Sequence, residues 1–447
     1  REHPARLAQL TGLRDSSLIV LLARALADRP TSELDAALLL RALPAAVHGR
    51  TTRRPHAAAP LYQAAAHETV LAEGLEQVTV ALRSRLDRIV EGSACAAPLI
   101  DAASGIAGLL YVLAAAHRAQ VIELDATLGD RAVRVLTAGA PITPDLPGLV
   151  HGRAGRALAV AAAMQAGCVR RAECLRTALA QALGGRLDWP DFTHGAAGQG
   201  FAALGCARRL GMSDLALSAD ACAAYLIRTQ DADGAWTLPQ GAPGASGERY
   251  TGFAHGAAGM MAFLGSYAAM ARNADAQAAW RRAEGWLLRR ARRSRGGQWQ
   301  WPQSDSRAAP AAWWCHGAPG IALGWLCVAE AQGTTAVVED ALRAALEACP
   351  RQLRSDSLSQ CHGLAGVGEV YLQAHRVLQQ ECWRERAADL ADVLVALFRK
   401  RSRPAWYCAP EEGAEHADGL MLGTAGILHF LLRHHHPVAV PSAPLLA

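Results

Sequence analysis

The sequence predicts an all-α protein: a closed double ring of seven inner and seven outer helices, preceded by an N-terminal helical extension. Three observations carry this reading. Ala and Leu, both strong helix formers, dominate long stretches of the 447-residue chain. A Gly-x-[Ala/Pro]-Gly element recurs seven times, its first glycines being Gly105, Gly152, Gly195, Gly256, Gly317, Gly363 and Gly423. A helical apolar stretch follows each element, as in GIALGWLCVAEA and GVGEVYLQAHRVL, and another helical stretch precedes most of them, as in AECLRTALAQAL.

Each unit therefore reads as helix, loop, GxxG, helix. Glycine at a helix start lets backbones approach closely and permits positive φ. Repeated in every unit, it brings seven helix N-termini towards one place. Helix pairs that bury their apolar faces against their neighbours close into a ring, with an open solenoid as the alternative. Two units carry Gly/Trp/Pro-rich lead-ins, GAWTLPQ (Gly234 to Gln240) and GGQWQWPQ (Gly296 to Gln303), expected as irregular loops or short strands on one face of the ring. Residues 1–85 lack the repeat and form the extension; residues 86–447 form the ring domain. Within the extension, ADRPTSELDAALLLRAL reads as a separate helix and His48 to Pro60 as a basic linker. The C-terminal PVAVPSAPLLA reads as a peripheral tail.

Composition narrows the function classes. Hydrophobic residues make up 51% and charged residues 19%, enough for a large core and incompatible with wholesale disorder. A net charge of +5 is a mild bias over this length and no nucleic-acid footprint. The one basic cluster, Arg289, Arg290, Arg292, Arg293 and Arg295, reads as a solvated helix end rather than a groove for an acidic peptide. No apolar run reaches the roughly 18 residues of a membrane span, and the start REHPARLAQL has no signal core. A cytoplasmic location is the expectation, for a whole protein or a portion of a longer one. The 11 cysteines are too dilute for a secreted disulfide scaffold, and most read as buried packing residues.

The two residues before each first glycine carry the chemistry. They are Ala103-Ser104, Val150-His151, Thr193-His194, Ala254-His255, Cys315-His316, Cys361-His362 and Met421-Leu422. One Cys-His-Gly is a buried cysteine beside a capping histidine. Two at equivalent positions of adjacent units are a ligand pair. If the GxxG elements converge, Cys315 and Cys361 meet, and with one imidazole they make three zinc ligands and leave a fourth position open for water or substrate. Repeat equivalence leaves His316, His362 and His255 all eligible as the third ligand. His151 and His194 read as structural or peripheral. Helix N-termini favour thiolates, which helps metal binding. Zinc with two thiolates and a neutral histidine suits binding an incoming thiol while leaving its sulfur nucleophilic. Asp191, four residues before Gly195, projects to the same opening or caps its helix. The run His434, His435, His436 reads as a solvated helix end.

These motifs resemble the lanthionine synthetase C-like family of lanthipeptide cyclases. FAHGAAG (Phe253 to Gly259), WCHGAPG (Trp314 to Gly320) and CHGLAG (Cys361 to Gly366) carry the resemblance, in that order, with the seven GxxG elements, over about residues 95–435. The resemblance implies an α/α toroid that binds one Zn²⁺ and closes thioether rings in a dehydrated precursor peptide. It implies Cys315, Cys361 and His362 as zinc ligands, His255 as the acid/base and Asp191 as the active-site aspartate. It implies a Michael-type addition of a substrate cysteine thiolate to dehydroalanine or dehydrobutyrine, with His255 protonating Cα. Some members of the family carry an arginine shortly before the first zinc cysteine; here Arg307 is the nearest, and its role is unassigned. The partner implied is a precursor peptide, leader plus dehydrated core. A lyase/kinase dehydratase, in the same polypeptide or complex, is a further one, since DRPTSELDAALLLRAL weakly resembles a terminal helix of a kinase-like lobe.

Two other readings share the scaffold. One is addition of a small thiol such as glutathione to dehydroamino acids. The other is a non-catalytic peptide-binding ring with structural zinc. A glycosidase of similar architecture would need a carboxylate pair at the mouth, where the repeat offers His and Cys.

Overall fold

A computed structural model of the protein describes residues 58–91, 99–138, 146–170, 175–241, 246–295, 297–333, 336–349, 358–399, 418–442 and 446. Among the described residues there are fourteen α-helices. Seven start immediately after the first glycine of a GxxG element: α2 (Ile106–Arg118), α4 (Arg153–Gln165), α6 (Ala196–Leu210), α8 (Ala257–Ala271), α10 (Ala318–Gln332), α12 (Leu364–Leu378) and α14 (Thr424–His435). Seven others alternate with them: α1 (Ala58–Val90), α3 (Ala126–Thr137), α5 (Arg176–Leu183), α7 (Leu217–Thr229), α9 (Ala274–Arg290), α11 (Ala336–Ala348) and α13 (Glu381–Arg399). The first set is buried along almost its whole length, as α8 and α10 show, which is the signature of a helix enclosed on all sides. The second set buries one face only. In α9 that face is Ala276, Ala279, Trp280, Ala283 and Leu287, at helical spacing.

Closure is written in the backbone. The residue two before each first glycine donates its N–H to the carbonyl of the equivalent residue in the next unit. The order is Ala103 to Val150, then Thr193, Ala254, Cys315, Cys361, Met421 and back to Ala103, at 2.8–3.3 Å. Seven otherwise orphaned donors and acceptors at the inner helix starts are satisfied in one circle. The inner helices follow the same order, α14 packing on α2. The protein is thus a ring, not an open solenoid.

The glycines permit close approach more than unusual dihedrals. Six of the seven first glycines are extended, and Gly317 alone has positive φ (128°). At the second glycine a Cβ would meet backbone: at Gly366 it would lie 2.0 Å from the Gln360 carbonyl oxygen, and at Gly320 2.0 Å from that of Trp314.

Helix α1 is an outer member of the ring. It packs on α2, α13 and α14, burying Val70, Leu71, Leu75, Val78, Leu82 and Leu86. The division at 85/86 drawn from the sequence falls inside this one continuous helix. Residues 1–57, with the kinase-like segment, lie outside the described residues. The C-terminal tail is docked rather than peripheral: the Ala439 carbonyl accepts from Arg118, that of Pro441 from Arg376 (2.9 Å) and Arg433, and Val440 is buried.

Of the two Trp-rich lead-ins, Gly234 to Gln240 is an irregular loop, whereas the second contains a short strand and a bridge, Pro302 to Pro310. Strand β1 (Arg292–Arg293) pairs antiparallel with β2 (Trp299–Gln300), and Tyr250 bridges to Ser304. Buried Trp236 and Trp301 pin the two loops by donating indole N–H to the carbonyls of Leu226 and Leu287, each at 2.9 Å. The arginine cluster is engaged locally. Arg289 donates to the Asp233 carbonyl, Arg290 pairs with Asp305, and Arg293 lies over Trp299.

Candidate metal and acid–base site

Because the circle is hydrogen-bonded position by position, every residue that follows it in sequence also lies at one end of the ring. Cys315 and Cys361 are adjacent members, the Cys315 N–H donating to the Cys361 carbonyl at 3.3 Å. Their thiols and the His362 imidazole form a group whose ligand atoms all lie within 4.8 Å of one another. Cys361 Sγ is 3.9 Å from His362 Nε2. Trp313 packs edge-on against the His362 ring, and the His362 N–H donates to Ser359 Oγ. Of the three histidines left eligible by the repeat, the structure brings His362 to the cysteines. His316 turns instead to Tyr250 and His255, with ring centroids 5.1 and 5.7 Å away.

The donor set fits a soft divalent metal. The Cys361 thiol is held well above the usual thiol range by its hydrogen bond with Cys315, by burial and by the charge of Cys315, with His362 opposing. A buried thiol and a half-buried one this close cannot both ionise unless a cation offsets them. Two sulfurs and one imidazole nitrogen are the donors zinc takes in a three-ligand site. Phe192, Phe253 and Trp314, each one residue before a member of the circle, form a buried aromatic cluster, with ring centroids 4.9 and 5.4 Å apart.

The second group is acidic and basic. Asp191 is 1% exposed. Its Oδ2 accepts Nδ1–H from His255 at 2.8 Å and from His194 at 3.0 Å, and its Oδ1 accepts the His194 backbone N–H. Burial alone would raise the Asp191 carboxyl, but the hydrogen bonds and charges of His194 and His255 overcome it and hold the group below the ordinary carboxylate range. An ionised aspartate can only accept, so His255 keeps its proton on Nδ1 and directs Nε2 away from Asp191. The rings of His151, His194 and His255 stack in succession, at 5.5 and 5.2 Å, and His316 continues the arc.

Sequence reasoning placed Cys315, Cys361, His362, His255 and Asp191 at this end of the ring, and all five are there. His194, read as structural or peripheral, is structural and at the site itself, sharing the Asp191 carboxylate. His316, eligible as a ligand from the repeat, is not in the cysteine group and is kept neutral down to about 3 by burial and by the charges of His255, His362 and Arg307. Its Nδ1 is buried without a hydrogen-bond partner among the described residues. The signal for both was the five-fold recurrence of histidine at one repeat position. Of the other cysteines, Cys168, Cys206, Cys222, Cys327 and Cys349 are buried as expected, whereas Cys382 is exposed; Cys95, Cys174 and Cys408 lie outside the described residues. His434 and His435 are not a solvated helix end: they are half-buried against His67. No helix among the described residues is long and apolar enough to cross a membrane.

A family profile described as "Lanthionine synthetase C-like protein" matches residues 98–445. The solved structure of nisin cyclase is similar over 82% of this chain and 96% of its own, with a TM-score of 0.62 and 17% identity. A GH76 alpha-mannanase from Bacteroides thetaiotaomicron is a weaker likeness, with a TM-score of 0.40 and 8% identity over 55% of this chain and 69% of its own.

Proposed function

This chain belongs to the lanthionine synthetase C-like family, and from that membership and its site we propose that it is a zinc-dependent cyclase. It adds a cysteine of a dehydrated precursor peptide to dehydroalanine or dehydrobutyrine, forming lanthionine or methyllanthionine. The observation that carries the reading is the convergence of Cys315, Cys361 and His362 beside an Asp191-held His255.

Cys315, Cys361 and His362 would hold the zinc and leave one position open. A zinc ion bound there acidifies and orients a substrate thiol. The chain's own residues do the rest. Asp191 fixes His255 with Nδ1–H inward and stabilises its imidazolium. His255 Nε2 takes the thiol proton, the sulfur bonds to the β-carbon, the double-bond electrons move towards the carbonyl, and the His255 imidazolium passes that proton from Nε2 to Cα. The thiol proton is lost and one C–H is gained, so the product is an isomer of the substrate.

The test uses a synthetic peptide with one cysteine and one dehydroalanine. Zinc-loaded protein is expected to protect the thiol from later alkylation without any change in peptide mass. A thiol that remains fully alkylatable would refute a cyclase. Mass gain only when glutathione is added would instead assign the small-thiol reaction.

A further inference from the structure

The Asp191–His255 arrangement occurs twice. Asp101 stands four residues before Gly105 as Asp191 stands four before Gly195. Its Oδ1 accepts the backbone N–H of Ser104, three residues on, as that of Asp191 accepts from His194. Its Oδ2 faces His151 Nδ1 of the next unit at 3.2 Å, as that of Asp191 faces His255. Among the repeat units only these two have aspartate at this position. The Asp101 carboxyl is also held below its ordinary range: burial works against this, and the His151 interaction with the Ser104 and Gly105 N–H groups outweighs it.

The second pair sits elsewhere on the circle. Val150, which precedes His151, is three steps from Cys315 in one direction and three from Cys361 in the other. His151 is therefore directly across the mouth from the metal ligands. A substrate sulfur lying between the two cysteines is on the far side of the circle from it. The His151 side chain is 42% exposed, against 21% for His255. No described residue hydrogen-bonds its Nε2. With Nδ1–H given to Asp101, the neutral ring offers Nε2 as an acceptor.

We propose that Asp101 and His151 form a substrate-binding subsite, in which His151 Nε2 accepts a hydrogen bond from a backbone N–H of the peptide whose cysteine occupies the metal pole. This rests on the cyclase reading above. Asp101 is a positioning residue: it sets the tautomer that makes His151 an acceptor.

The test measures kcat, KM and direct binding of a fluorescent peptide carrying one cysteine and one dehydroalanine, together with zinc content and melting temperature. His151→Ala is expected to raise KM and Kd about tenfold, the worth of roughly one hydrogen bond, with kcat, zinc and melting temperature kept. His151→Gln, whose amide oxygen can accept, is expected to recover much of the loss. Asp101→Asn, which favours the opposite tautomer, is expected to raise KM as His151→Ala does. Wild-type KM and Kd in His151→Ala, or a fall in kcat alone, would overturn the subsite while leaving the cyclase standing. A wild-type protein that neither binds nor cyclises the peptide would overturn both.

Discussion

His255 and Asp191 differ in what their loss should do. Replacing His255 by Ala removes the proton donor but touches none of the metal-ligating atoms. The expected result is a fall in kcat of about 10²–10⁴-fold, the usual worth of a positioned acid or base, with zinc content unchanged. Asp191→Asn keeps the shape but can donate towards imidazole nitrogens that need an acceptor. It should lower kcat in the same direction and disturb His194 as well. Zinc lost along with activity in His255→Ala would show that His255 serves the metal and not the proton. Repeat equivalence alone left the choice among His316, His362 and His255 open, and only the resemblance carried by CHGLAG pointed to His362. All three follow or flank the circle at equivalent backbone positions, and side-chain torsions, set by neighbours such as Trp313 and Tyr250, decide which ring turns to the sulfurs.

The GxxG element acts through its second glycine at the scale of the helix start. A Cβ at Gly366 would stand 2.0 Å from the Gln360 carbonyl oxygen and 3.1 Å from the Trp314 Cβ, so Gly366→Ala must push α12 away from the circle beside Cys361. The expected cost is roughly 1–3 kcal/mol or more, read as a lower melting temperature with weakened zinc retention. An unchanged protein would mean that the close approach is not needed. The inner helices were legible because each starts at a marked glycine. Helix α1 was not, because the outer helix that begins the ring precedes the first GxxG. Its apolar face of Val70, Leu71, Leu75, Val78, Leu82 and Leu86 looks like that of any amphipathic helix. Each of those side chains contributes roughly 1.5–3 kcal/mol on burial, so cutting the chain at residue 86 would strip the ring of a wall.

Acid should loosen the whole molecule in two stages. At the end of α14, burial and neighbouring imidazoles hold His434 down to about 4 and His435 down to about 3. The unfolded chain protonates these groups near pH 6.5. Their contribution is therefore complete above that pH and is lost progressively as pH falls towards the folded values. Below the ordinary carboxylate range, protonation of Asp191 and of Glu369, which is buried with His429 and Arg433, removes a further share. Melting temperatures of wild type and a His434→Gln/His435→Gln variant between pH 7 and 4 check this. The variant should show a flatter decline, and parallel curves would exclude these histidines.

Ring closure itself was foreshadowed by seven equal glycine signals. The hydrogen-bonded circle that makes Cys315 and Cys361 neighbours was not, since backbone pairing between segments far apart in sequence leaves no residue signature. X-ray absorption at the zinc edge tests the consequence most directly. The zinc-loaded protein should show two sulfurs at about 2.3 Å and nitrogen at about 2.0–2.1 Å, with one sulfur missing or the metal lost in Cys361→Ala. A first shell of nitrogen and oxygen only, unchanged in that variant, would contradict the assignment.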